Sequence, residues 1–145
     1  MPLDPNQPDA TGYLTGVIQS AVPPVVRYAG FAAATEGVVA IVVAIVLVVR
    51  AVSGADQHIV NGYGTAGWFA VMGAAVLAAG WALITGRRWG RGIAVFANLL
   101  LLPVAWYIVA AHQPVYAIAL GGVAIAVLAL LFSPPAVRWA SRAVE

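Results

Sequence analysis

Four long apolar runs, joined by short polar connections, constrain the fold of this chain more than any other feature of its sequence. They cover residues 28–49, 64–84, 92–110 and 115–132. Each is close to the length of about 20 residues at which an α-helix crosses the hydrocarbon core of a bilayer. Only 8% of the residues are charged, against about a quarter in soluble domains. The sequence therefore excludes a soluble globular protein and predicts an all-α membrane protein, a bundle of four transmembrane helices.

The segments outside these runs define the predicted domain boundaries. We assign residues 1–24 to a cytoplasmic tail, 25–135 to the four-helix transmembrane domain and 136–145 to a second cytoplasmic tail. Within the first tail, apolar residues recur at helical spacing, namely Leu14, Val17, Ile18 and Ala21. This spacing favours a short interfacial helix, amphipathic and lying on the membrane surface. A plain linker is the alternative.

The basic residues predict the orientation of the bundle. All seven are arginine. With both termini in the cytoplasm, six of them lie on the cytoplasmic side: Arg27, Arg87, Arg88, Arg91, Arg138 and Arg142. Because basic residues concentrate in cytoplasmic loops, we expect a multi-pass protein of the bacterial plasma membrane with both termini cytoplasmic. The absence of lysine, with abundant alanine and valine, favours a high-GC source such as an actinobacterium.

Small residues mark the faces on which we expect the helices to pack. Lipid chains are as apolar as leucine, so close packing of small residues holds transmembrane helices together. The predicted packing residues are Gly30, Ala33, Gly37 and Ala40 in the first run, Gly73 and Gly80 in the second, and Gly121 in the fourth. The fourth run carries a second, adjoining stripe of Gly122, Ala126 and Ala129. Whether every small-residue face is used within one chain is left open.

Glu36 is the most informative polar residue, because it lies near the middle of the first run. An acidic residue at that depth costs about 2.5–3.5 kcal/mol on insertion scales. Asn98 in the third run is the other strongly polar candidate, and we expect it to lie within reach of Glu36. Because intramembrane acids mark ion pathways, one interpretation is a proton or cation relay. The other is a neutral glutamic acid that forms a hydrogen bond between helices.

The loop between the second and third runs is basic. Arg87, Arg88 and Arg91 lie in the sequence Gly-Arg-Arg-Trp-Gly-Arg, which suits contact with anionic lipid headgroups or an acidic partner. The alternative is that these arginines only set the topology. Because the basic residues are few and lie close to the membrane, we expect no nucleic-acid partner.

Residues for catalysis, cofactor binding or metal binding form no recognisable pattern. The chain has no cysteine, which removes thiolate chemistry. Asp56, His58 and His112 lie in two different loops without the spacing of metal ligands. We therefore expect no catalytic, cofactor-binding or metal-binding residues and no enzymatic activity.

Residues 86–142 resemble a known group of membrane proteins. The features are the basic turn at 86–91, the motif Leu-Leu-Leu-Leu-Pro-Val-Ala-Trp at 99–106, and an aromatic-led fourth run that ends in Ser-Pro-Pro at 133–135. In these features the chain resembles uncharacterised small four-helix integral membrane proteins of actinobacteria. The resemblance implies a membrane location and a four-helix fold, and it implies no activity and no functional residues.

Glu36 also invites comparison with the small multidrug resistance transporters, which have four helices and a key glutamate in the first. Residues 98–106 lack the aromatic and glycine motifs of those transporters, so the likeness is one of architecture. The leading hypothesis is a non-catalytic accessory or scaffold subunit that packs against other membrane proteins or itself, surrounded by membrane lipids. A small proton-coupled transporter or channel-like oligomer that uses Glu36 is the alternative.

Overall fold

The structure, a computed structural model, describes residues 21–54, 62–110, 112 and 114–142. Five helices lie in these ranges: α1 (Pro24–Val52), α2 (Gly62–Ile84), α3 (Trp89–Ala110), α4 (Pro114–Leu131) and α5 (Pro134–Ser141). The first four are long and apolar enough to cross a membrane. The predicted all-α bundle of four transmembrane helices is confirmed. The predicted interfacial helix lies outside the described residues, apart from Ala21 and Val22.

Local sequence signals explain where the helices begin and turn. Three of them, α1, α4 and α5, begin at a proline, which has no N–H to leave unpaired and already holds a helical φ angle. The link between α2 and α3 turns at Gly86, whose φ of 80° lies in the left-handed region that glycine favours. α1 has 29 residues, a length of about 44 Å. It extends beyond the predicted apolar run at both ends, because hydropathy marks only the residues that suit hydrocarbon.

The four long helices form a ring in which each packs against two others. α1 packs most extensively on α2, and α3 packs on α4. Contacts of α2 with α3 and of α1 with α4 complete the ring. α1 and α3 are therefore diagonal partners, and side chains that join them cross the middle of the bundle.

Two pairs of glycines bring α1 and α2 into close contact. Gly30 faces Gly80, and Gly37 faces Gly73. A Cβ atom on Gly80 would lie 2.7 Å from the backbone oxygen of Gly30 and 2.5 Å from the backbone nitrogen of Ala34. The two antiparallel backbones therefore touch, which is the kind of packing that stabilises helix pairs in lipid.

The core lies toward the end of the bundle where α1 and α3 begin and where α2 and α4 end. It consists of Val26, Ala29, Ala33, Val76, Leu83, Ala94, Ala97, Val127, Leu131, Ala136 and Trp139. The last two belong to α5, which covers this end of the bundle. Larger aliphatic side chains of α1 point outward instead, among them Val38, Val39, Val42 and Val46. Alanines thus line much of the core beside a few larger side chains, and the exposed valines of α1 form part of the outer surface of the bundle.

Candidate functional site

Glu36 of α1 and Asn98 of α3 meet across the diagonal of the bundle. Asn98 is fully buried, with 0% of its surface exposed, and Glu36 is half-buried. The Nδ2 atom of Asn98 donates to Oε2 of Glu36 at 3.2 Å. The same nitrogen donates to the backbone oxygen of Ala94 at 2.9 Å. The two polar residues that stand out in the apolar runs are therefore within hydrogen-bonding distance.

Two oxygen atoms of this pair have no hydrogen-bond partner. Oε1 of Glu36 and Oδ1 of Asn98 are buried and accept no hydrogen bond. Leaving a buried polar group unpaired costs about 1–3 kcal/mol. The pair is therefore a place in the bundle where a small polar species would be stabilised.

Arginine side chains lie far from this pair along the helices that carry it. Arg27 precedes Glu36 by nine positions and Arg50 follows it by fourteen, which correspond to about 13 and 21 Å of helix rise. On α3, Arg91 precedes Asn98 by seven positions, or about 10 Å. The sequences of α2 and α4 contain no charged residue. A charge on Glu36 would have no counter-charge at its own depth in these four helices.

The basic turn contacts the C-terminal part of the chain. Arg91 donates from Nη2 to the backbone oxygen of Leu131, the last residue of α4, at 3.0 Å. Its guanidinium group also lies 5.6 Å from the ring centre of Phe132. Arg88 lies 5.6 Å from the ring centre of Trp139 in α5. These arginines therefore join the start of α3 to the end of α4 and to α5.

This arrangement adds an internal role to the one predicted for the basic turn. Lipid or partner contact was the expectation for Arg87, Arg88 and Arg91. The structure shows that Arg88 and Arg91 contact other parts of the chain, although Arg88, like Arg87, is exposed. A positive group beside the last carbonyl of α4 also complements the negative end of the helix dipole. Lipid or partner contact stays a prediction for all three arginines.

The remaining predicted packing residues lie between helices. Ala33 is buried with 0% exposure. A Cβ on Gly73 would lie 3.0 Å from the Cβ of Ala40. In the other half of the bundle, a Cβ on Gly121 of α4 would lie 3.3 Å from the Cβ of Ala105 on α3. Both strong helix pairs, α1 with α2 and α3 with α4, therefore use small residues at their contact.

The second stripe of small residues on α4 faces away from the bundle. Gly122, Ala126 and Ala129 are exposed, and so is Ala119, which extends the stripe by one turn. A Cβ on Gly122 would meet no atom within 4 Å. We call these four residues the outer α4 stripe. Nothing in the described part of the chain covers it.

Hydropathy does not reveal helix α5, although two local signals in the sequence are typical of a helix there. Pro134 and Pro135 stand at its start, where proline is favoured. Ala136, Trp139 and Ala140 then follow one face at helical spacing. Its eight residues are too few to stand out by hydropathy.

Comparison with known proteins finds no match: no family model, no curated protein and no solved structure matches this chain. The resemblance to small membrane proteins of actinobacteria stays a prediction. Function is therefore inferred from the geometry of the chain itself.

Proposed function

We propose that this chain is a non-catalytic accessory or scaffold subunit of the bacterial plasma membrane, which packs against another membrane protein. The observation that supports this role is the outer α4 stripe, whose four small residues are exposed in a row along the helix. A row of small residues leaves a shallow channel into which the backbone of another helix fits. Close packing of this kind drives the association of helices in membranes.

The interface between α1 and α2 shows what a covered stripe of this kind looks like. There the small residues sit in direct backbone contact, and Gly37 lies against Gly73. On α4, larger side chains border the stripe: Ile125 on one side is 60% exposed, and Val123 on the other is 44% exposed. The channel therefore has a floor of small residues and two aliphatic walls, which suits a transmembrane helix of a partner protein.

Purification of the tagged full-length chain from its own membranes in a mild detergent, followed by mass spectrometry, tests this role. We expect a stoichiometric partner in the wild type that is lost from Ala126→Leu, because a larger side chain on the outer α4 stripe blocks the approach of a helix. Ala74→Leu makes the same change on the exposed face of α2 and is expected to keep the partner. A partner that survives Ala126→Leu, or a chain that purifies as a homo-oligomer alone, contradicts the accessory role.

The same proposal places both termini in the cytoplasm. Arg91 meets Leu131 at one end of the bundle, so the basic turn and the C-terminal helix share that end. Because positive charge concentrates on the cytoplasmic side, we assign this end to the cytoplasm. Since the chain has no cysteine, single cysteines report on each side without background.

Two exposed serines offer a matched pair for that measurement. Ser53 follows α1 and Ser141 ends α5, so Ser53→Cys and Ser141→Cys make the same small change at opposite ends of the bundle. In intact cells, we expect a membrane-impermeant thiol reagent to label the first variant and spare the second. The opposite labelling pattern would reverse the orientation.

The hydrogen bond between Asn98 and Glu36 favours a second candidate, a small proton-coupled transporter or channel-like oligomer. Intramembrane acids with a polar partner mark proton pathways in membrane proteins. Glu36→Gln keeps a hydrogen-bonding side chain and removes the titratable group. If the chain transports protons, this variant loses proton-coupled flux in proteoliposomes and keeps its fold. Undiminished flux in Glu36→Gln contradicts a relay through this residue.

A further inference from the structure

The hydrogen bonds of Glu36 and Asn98 leave two acceptor oxygens of the pair without a donor. A side-chain amide has two N–H donors, and the Nδ2 atom of Asn98 makes two bonds, to Oε2 of Glu36 and to the backbone oxygen of Ala94. The amide therefore has no further hydrogen to give. What remains are two buried oxygens, Oε1 of Glu36 and Oδ1 of Asn98, neither of which accepts a hydrogen bond. An ionised carboxylate provides only acceptors, so it cannot correct this deficit.

We propose that Glu36 binds a proton on Oε1 and donates it to Oδ1 of Asn98, so that the carboxylic acid and the carboxamide form a cyclic, doubly hydrogen-bonded pair. The ligand of this site is a proton. One hydrogen atom satisfies both orphaned oxygens together, since Oε1 becomes a donor and Oδ1 gains one. The existing bond from Nδ2 to Oε2 is the other half of the ring.

The surroundings of the pair favour this neutral form. Burying an unpaired charge costs far more than burying a hydrogen-bonded neutral group. Apart from Glu36 itself, the titratable or charged groups on the five helices are Arg27, Tyr28 and Arg50 on α1, Tyr63 on α2, Arg91 and Tyr107 on α3, Tyr116 on α4 and Arg138 on α5. All of them lie toward the helix ends. Arg91, the nearest along α3, donates from Nη2 to Leu131, and its buried Nε has no hydrogen-bond partner, but it lies about 10 Å from Asn98 along the helix. Among the residues of the five helices, no positive group lies at the depth of Glu36 to neutralise a carboxylate there.

The proton would link two helices whose backbones stay apart. α1 and α3 are diagonal in the ring, so the acid–amide pair bridges the middle of the bundle where backbone packing does not. The site is independent of the accessory role proposed above, because it lies inside the bundle and the outer α4 stripe lies on its surface. A result that contradicts one proposal therefore does not contradict the other.

The chain contains only two glutamates, Glu36 and Glu145, which makes the protonation state directly measurable. Labelling glutamate with ¹³C at the side-chain carboxyl gives two signals from the purified full-length protein in detergent. Glu36→Gln removes one signal and Glu145→Gln the other, which assigns them. At neutral pH, we expect the signal of Glu36 at the position of a carboxylic acid and that of Glu145 at the position of a carboxylate.

A carboxylate signal for Glu36 at neutral pH overturns the proposal. If such a signal also moves when sodium replaces potassium in the buffer, a metal cation occupies the site in place of the proton. If it is insensitive to the cation, Glu36 is simply ionised, and the two orphaned oxygens are satisfied by water.

Infrared spectroscopy tests the partner of the proton. We expect a carbonyl band of a protonated acid that disappears in Glu36→Gln. In Asn98→Leu the same band is expected at higher frequency, since the carbonyl oxygen Oε2 has lost its donor and the hydroxyl has lost its acceptor. A band that does not shift in Asn98→Leu shows that the proton is not shared with Asn98 and overturns the cyclic pair.

Thermal unfolding in detergent gives a second measurement if Asn98→Leu does not fold. Glutamine offers an N–H where the protonated acid offers an O–H, so Glu36→Gln is expected to unfold at the wild-type temperature. Glu36→Ala removes both halves of the ring and is expected to unfold at a lower temperature. If Glu36→Gln is destabilised as much as Glu36→Ala, a donor at this position does not stabilise the bundle, and the proposal is wrong.

Discussion

Gly37 of α1 and Gly73 of α2 lie so close together that neither position has room for a side chain. A Cβ on Gly37 would stand 2.8 Å from the backbone oxygen of Gly73, and a Cβ on Gly73 would stand 3.0 Å from the backbone oxygen of Gly37. The closeness is reciprocal because the two helices are antiparallel and in register at this point. Contact of the two backbones at this pair and at Gly30 with Gly80 makes α1 and α2 the most tightly packed pair of the bundle.

Replacement of Gly37 by alanine is expected to separate these helices. The new Cβ would lie 2.5 Å from the backbone nitrogen of Leu77, and a backbone atom cannot move aside as a flexible side chain can. Overpacking of this kind costs about 1–3 kcal/mol. The free energy of unfolding in mixed detergent micelles measures it. Gly67→Ala on α2 is the control, because a Cβ there meets nothing within 4 Å, and equal stability of the two variants would contradict the close contact.

Removal of the Arg91 side chain is expected to loosen the end of α4. Arg91→Leu loses the bond to the carbonyl of Leu131 and the contact with Phe132. Hydrogen bonds to charged groups contribute about 1.5–3 kcal/mol, and we expect a loss of stability in that range. Arg87→Leu removes the same charge from an exposed position of the same turn. If both variants lose the same stability, the effect comes from charge and not from the contact with α4.

A double-mutant cycle is expected to show coupling between Glu36 and Asn98. Their hydrogen bond crosses the bundle, and interhelical hydrogen bonds measured in this way in a membrane protein contribute about 0.6 kcal/mol on average, with a maximum of about 1.7 kcal/mol. We expect a coupling free energy within that range for Glu36→Ala combined with Asn98→Ala.

The control for this cycle pairs Asn98→Ala with Thr35→Ala. Thr35 is the neighbour of Glu36, but its hydroxyl donates to the backbone oxygen of Phe31 within α1. Residues without shared partners give additive effects, so this second cycle is expected to show no coupling. Coupling of equal size in both cycles would mean that Asn98 affects α1 in general and not Glu36 in particular.

Truncation of Trp139 is expected to detach α5 from the bundle. Trp139 is 6% exposed and lies against Arg88. A tryptophan-to-alanine change in a core lowers the free energy of unfolding by about 3–5 kcal/mol. The other core residue of this eight-residue helix is Ala136, whose side chain is a single methyl group. We expect Trp139→Ala to become sensitive to trypsin at Arg138 in detergent. Val137→Ala changes the exposed face of the same helix, where Val137 is 40% exposed, and is expected to resist cleavage as the wild type does.

The depth of the candidate site could be predicted from the sequence, whereas its geometry could not. Helix rise per residue is constant, so the distances of Glu36 and Asn98 from the ends of their runs place both at similar depth. The number of residues from the end of a run does not specify which helices are neighbours. The ring order makes α1 and α3 diagonal, so the two side chains meet across the middle of the bundle. The orphaned oxygens Oε1 and Oδ1 likewise follow from side-chain directions that no spacing specifies.

In the basic turn, too, the sequence predicts the location of the segment but not its contacts. Its charge and its place between two apolar runs predict a membrane-proximal loop, and the sequence indicates nothing about Leu131 or Trp139 as contacts. Those contacts join residues 40 or more positions apart. They depend on how α4 returns to the same end of the bundle and on α5, a helix too short to be recognised by its hydropathy.

The sequence by itself determined the four transmembrane helices, because hydropathy acts residue by residue and a helix in lipid satisfies its own backbone hydrogen bonds. Only the tertiary structure decided which faces of these helices meet. Gly121 turns inward against Ala105 of α3, whereas Gly122, the next residue, faces outward on the outer α4 stripe. The sequence shows both stripes of small residues and does not choose between them. Lipid is as apolar as a neighbouring helix, so hydrophobicity does not distinguish the two faces, and the choice depends on the fit of one backbone against another.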